Sequence, residues 1–180
     1  ILPLNGVSFL MNVKECAELE PILDELFTLM NERLIYREQL SVQLRSIASL
    51  KHQVSGKLCL EEYAEHLLGG GKVNDALFLC SVLLSQPGTE GTILKILGDA
   101  IAAGKRDDLR RLFGGYIRYD VITFMGGHSP ELERKKEAIS RLLSFAPPGS
   151  LRAVLREALQ GVDAEIQSVK MEYEEDLVER

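Results

Sequence analysis

Apolar residues recur at three- and four-residue spacing along almost the whole chain, whereas period-2 alternation bounded by turns is scarce. The pattern predicts an all-α fold: a multi-helix bundle or a short helical-hairpin array with long amphipathic helices at its N- and C-terminal ends. From Pro21 to about Val54, positions 23, 26, 30, 33, 37, 40, 44, 47, 51 and 54 read Leu, Leu, Met, Arg, Arg, Leu, Leu, Ile, Lys and Val, so seven of ten fit an apolar heptad. Unbroken, such a helix is about 50 Å long at ~1.5 Å per residue. Pro21 is expected in its first turn, where a missing N–H costs nothing. Arg33 and Arg37 interrupt the seam, which favours a bundle or a local bend over an unbroken two-stranded coiled coil. A second long helix is expected after Pro147-Pro148-Gly149, with Ser150 as N-cap and a seam of Leu151, Leu155, Ala158, Val162, Ile166, Val169, Tyr173 and Leu177. Gly161 is its weak point, and the acidic run Glu172 to Asp176 reads as a solvated face or a fraying end.

Between these arms, shorter helices are separated by glycine-bearing breaks at Gly69-Gly70-Gly71, Gln86-Pro87-Gly88, Gly104, Gly114-Gly115 and Gly126 to Pro130. Ser129, Pro130 and Glu131 suit the N-cap, first position and favourable early acid of a helix carrying Leu132, Ile139, Leu142 and Leu143. Gly71-Lys72-Val73-Asn74-Asp75 and Gly104-Lys105-Arg106-Asp107-Asp108 stand 33 residues apart, a period within the range of helical-hairpin solenoids. The pattern of a tetratricopeptide unit does not follow, and no third copy lies 33 residues to either side. The Gly-Lys pairs do not make a phosphate loop, which needs a second glycine, a following Ser or Thr and a preceding strand. Helix C-caps are the expected role.

With 180 residues, 46% apolar and 27% charged, the chain can bury a real core and is not disordered. An N-terminal, partly extended segment is expected over 1–20 and a single helical domain over 21–180. The longest apolar stretch, Ala76 to Leu84, is far shorter than the roughly 20 residues of a membrane span. The N-terminal apolar run lacks the basic region of a secretory signal, and a start at Ile reads as a piece of a longer protein. Cys16, Cys59 and Cys80 are too few and too widely spaced for a disulfide framework, so free, buried thiols in a reducing, intracellular and cytoplasmic setting are expected.

The spacing of Cys59, His66 and Cys80 lacks the close ligand pair of a zinc site, and supplies no third group for a Cys–His nucleophile. Adjacent acids such as Glu61/Glu62 and Asp107/Asp108 splay around a helix and read as helix-start acids. No metal, cofactor or enzymatic activity is expected. The net charge of −6 conceals a basic island over 105–156, where eleven basic residues face six acidic ones. Within and beside it, Arg110, Arg111, Tyr116 and Arg118, with Lys135 and Lys136 as neighbours, form the partner-binding candidate, because Arg with Tyr is the composition of interface hot spots. A solvated face is the bland alternative, and a nucleic-acid or phosphoinositide surface a third, set back by the acidic whole. The function expected is a helical adaptor or scaffold that binds an acidic or amphipathic helical segment of another protein. Its rivals are a structural component that homo-oligomerises through a long helix and a regulatory, autoinhibitory domain.

Overall fold

The computed structural model describes residues 16–49, 53–54, 57–84, 86–105, 109 and 130–179. Their order is α1 (Cys16–Asn31), α2 (Arg37–Ser49), a two-residue antiparallel hairpin of β1 (Gln53–Val54) and β2 (Lys57–Leu58), α3 (Cys59–Gly69), α4 (Val73–Leu83), α5 (Glu90–Ala102), α6 (Pro130–Phe145) and α7 (Ser150–Val178). The fold is all-α, as the periodicity requires. The chain divides into two compact units, Ile1–Ile96 and Leu97–Arg180.

In the first unit, the long helix expected from Pro21 to Val54 is two helices. α1 starts at Cys16, so Pro21 sits inside it rather than in its first turn. It buries Leu19, Leu23, Leu26, Phe27 and Met30, and α2 buries Leu40, Leu44, Ile47 and Ala48, so the heptad seam is real on both sides of the break. The break is a Schellman cap: Leu34 N–H donates to Leu29 O (2.9 Å) and Arg33 N–H to Met30 O (3.0 Å), with Arg33 at φ 60°. Arg33 thus occupies the left-handed position that glycine usually fills, which hides the helix end from a reading by residue type. Restart is equally local, because Gln39 Oε1 accepts from Tyr36 N–H (2.9 Å), half of a capping box.

α3 begins with the same device. Glu61, at its third position, accepts from Leu58 N–H (3.0 Å) as the helix-start acid that the sequence suggests. Its second oxygen accepts from Thr92 Oγ1 of α5 (2.7 Å), and both residues are buried. α3 and α5 end in matching Schellman caps at Gly71 (φ 73°) and Gly104 (φ 76°), with Lys72 N–H on Leu67 O and Lys105 N–H on Ala100 O. The correspondence reaches the helix faces. Leu60, Tyr63, Ala64 and Leu67 are buried at the same offsets before Gly71 as Ile93, Ile96, Leu97 and Ala100 before Gly104, and Ala76 matches Leu109 after them. The 33-residue likeness therefore covers capping and core face together. α1 to α4 pack against one another around Phe27, which meets Tyr63 (5.7 Å between ring centres) and, edge-on, Phe78 (5.9 Å).

In the second unit, α6 starts at Pro130 as expected and buries Leu132, Ala138, Ile139 and Leu142, with Leu143 half-buried. A four-residue connection, Ala146 to Gly149, turns the chain into α7, so the two helices pack as an antiparallel hairpin. Gly149, not Ser150, is the N-cap, at φ 138° and ψ −160°, and no side chain caps the helix. That backbone conformation belongs to glycine, so the chain places the cap where it can turn rather than where a hydroxyl stands. α7 runs unbroken through Gly161 for 29 residues. No helix among the described residues is long and apolar enough to cross a membrane.

Candidate functional site

Arg110, Arg111, Tyr116 and Arg118 lie outside the described residues. Lys135 and Lys136 stand half-buried on α6. Lys136 Nζ meets Asp163 of α7 at 2.8 Å, and this hydrogen-bonded carboxylate holds the ammonium above its usual pKa. Lys136 is thereby engaged within the hairpin. Two basic residues not singled out by composition, Arg152 and Arg156, line a shallow hollow of about 330 Å³ with Pro148, Gly149 and Ala153. Arg152 Nη1 also donates to Ala146 O (3.1 Å), clasping the turn.

The C-terminal arm is more distinctive. α7 outlasts α6 by thirteen residues, 29 against 16, or about 20 Å of helix. Its seam is buried at Leu155, Val162, Ile166 and Val169, half-buried at Tyr173, and 54% exposed at Leu177. Thus the apolar stripe continues beyond its buried stretch. At 100° per residue, Asp176 and Glu172 flank one side of Tyr173 and Leu177, and Glu174 flanks the other. From 170 to 179, five acids face one base, Lys170. Met171 and Val178, also exposed, stand one heptad apart on the opposite stripe.

A second cluster lies between α1 and α3. Glu20 and Asp24 share one face of α1 at four-residue spacing, and Tyr63 and His66 share one face of α3 at three-residue spacing. Tyr63 Oη donates to Asp24 Oδ1 at 2.7 Å. His66 places Nδ1 3.3 Å from Glu20 Oε1 and Nε2 3.3 Å from Asp24 Oδ1. Burial, followed by the Asp24 hydrogen bond, pushes the Tyr63 phenol well up, so it remains a neutral donor. The Tyr63 and His66 rings lie 5.6 Å apart, and nearby Asn31 Nδ2 donates to Asp75 (3.1 Å). The cluster joins residues 42 apart in sequence. Its two halves are legible as helix-face pairs, but nothing local announces that they meet.

The chemistry weighed at the sequence level takes clear forms. The Gly-Lys backbone N–H groups at 72 and 105, which a phosphate loop would turn towards a ligand, are spent on helix carbonyls. Cys80 is a free, fully buried thiol whose pKa burial raises strongly. Cys59 is buried but disulfide-bonded, contrary to the expected free thiol, because pairing depends on proximity in the fold rather than on spacing. That bond removes the cysteine argument for a reducing compartment. Among the described residues, the cluster of donors around His66 contains neither cysteine. Comparison with known families, curated proteins and solved structures found no match to this chain.

Proposed function

We propose that the chain is a non-enzymatic protein-interaction module, a helical scaffold whose C-terminal arm receives a basic amphipathic helix of another protein. The observation that carries this reading is the α7 seam, which continues through Tyr173 and Leu177 beyond its buried stretch and is flanked by acids. A helix laid along it would cover apolar area while its basic flanks met the acidic rim, the arrangement by which amphipathic helices are recognised. Charge would chiefly speed encounter, and the covered side chains would slow release. An acidic partner remains the occupant suited to the basic stretch around Arg110 and Arg111.

Self-assembly through the same arm is disfavoured, because a parallel pair of these helices would set Glu172, Glu174, Glu175 and Asp176 beside their copies. Light scattering is expected to show a monomer over a wide concentration range. The proposal is tested by titrating the chain with a labelled synthetic helix carrying Leu along one seam and Lys on its flanks. Leu177→Glu, at an exposed position that leaves the core untouched, is expected to weaken binding at least about tenfold, or about 1.4 kcal/mol. Equal binding by this variant would remove the arm from the account.

A further inference from the structure

We infer that Glu20, Asp24 and His66 form a binding site for a divalent transition ion of the zinc class, bridging α1 and α3. One donor atom from each residue lies within 4.8 Å of the other two. The observation pointing to a cation is the imidazole's setting. Both of its ring nitrogens face a carboxylate oxygen at 3.3 Å. The 3.3 Å between Nε2 and Asp24 Oδ1 is the spacing of two donor atoms that each lie about 2.0–2.2 Å from one tetrahedral ion. Imidazole nitrogen and carboxylate oxygen are both zinc ligands, and with these three bound a water completes the four-coordinate shell. Magnesium and calcium favour all-oxygen shells, so the imidazole selects against them.

The parts differ in how firmly they are held. Asp24 is oriented by the buried Tyr63 hydroxyl at 2.7 Å, the kind of outer hydrogen bond that fixes a ligating carboxylate. His66 is steadied against the Tyr63 ring, itself packed on Phe27. Glu20 is the longest and most exposed of the three, with half of its side-chain surface open, so it is the ligand that swings to close around the ion. The ion is therefore held through His66 Nε2 beside Asp24, with Glu20 completing the set. Its place between two helices makes it a staple of the first unit. Since the site lies in α1 and α3, its failure would leave the reading of the α7 arm intact.

Calorimetric titration of the tag-free, full chain with Zn²⁺, and separately with Mg²⁺ and Ca²⁺, tests the site. One equivalent of Zn²⁺ is expected to bind and to raise the melting temperature, with no saturable binding of the other two ions. His66→Ala and Asp24→Asn are each expected to lower zinc affinity at least tenfold and to abolish the thermal shift, while His52→Ala leaves both unchanged. Tyr63→Phe is expected to weaken zinc without removing the site, and Glu20→Gln, at the most exposed position, serves if a buried-side variant fails to fold. Absence of saturable zinc binding to the native chain, or binding by folded His66→Ala and Glu20→Gln equal to the native chain's, overturns the inference.

Discussion

Arg33 holds a left-handed backbone conformation, φ 60°, at the position where α3 and α5 place glycine. A side chain there costs about 1 kcal/mol relative to glycine, because Cβ crowds the following carbonyl. Arg33→Gly is therefore expected to raise stability by roughly 0.5–1 kcal/mol in a urea denaturation series, offset in part by the greater freedom of the unfolded chain. Unchanged or lower stability would show that the Arg33 side chain contributes more than its backbone strain removes. Gly149 presents the converse case. Its φ of 138° belongs to glycine, and a Cβ there would meet nothing within 4 Å, so the cost of Gly149→Ala is backbone strain alone, about 1–3 kcal/mol. Cys80 adds a chemical prediction at this scale. Burial disfavours its thiolate, so a thiol-specific reagent is expected to label Cys80 only after denaturation. Rapid labelling of the native chain would contradict its placement in the core.

At the scale of elements, Leu44 is fully buried on α2, and Leu44→Ala is expected to cost roughly 2–5 kcal/mol in the same denaturation series. The buried Glu61–Thr92 contact joins the start of α3 to α5, and Thr92→Val leaves a carboxylate oxygen short of a donor. A loss of roughly 1–3 kcal/mol is expected, and a double-mutant cycle with Glu61→Gln would show coupling if the two act as a unit. Additivity of the two changes would mean that the contact contributes nothing of its own. These elements also show what was legible. Leu23, Leu26, Met30, Leu40, Leu44 and Ile47 announced their burial by spacing, because a helix face is a local property. Arg33 and Arg37 marked an interruption between them, but not a full helix end, since the signals of that end were an arginine where glycine is usual and a Gln39 acting from the third position of α2. Gly71 and Gly104 were readable as caps because their residue type matches their conformation. Glu61 was readable as a helix-start acid, but its bond to Thr92 was not, because a contact across 31 residues leaves no periodic mark. The same reason hid the meeting of Asp24 with Tyr63 and His66, and the disulfide at Cys59.

At the scale of the whole molecule, the described helices keep most large apolar side chains inside, so the exposed remainder is informative. Leu34, Tyr36 and Val42 are exposed around the α1–α2 turn, Phe145 at the end of α6, and Met171, Leu177 and Val178 along the end of α7. Of these, only Leu177 continues a buried seam with a one-signed rim, which is why the arm is assigned the partner. The basic candidates make a separate, testable contribution. Reversing Arg110 and Arg111 to Glu is expected to leave binding of a basic helix unchanged, while reducing capture of an acidic segment if that surface is used. Reversing Glu172 and Asp176 to Lys is expected to slow association of the basic helix and to flatten its salt dependence. The measurement that bears most directly on the interaction reading is native-state hydrogen exchange of the full chain, with and without the basic amphipathic peptide. Amides over 170–178 are expected to exchange quickly in the free chain and to become protected when the peptide binds, while α1 to α4 keep their protection unchanged. Protection of this segment at the level of the core in the free chain, or no change on addition of saturating peptide, would contradict the account.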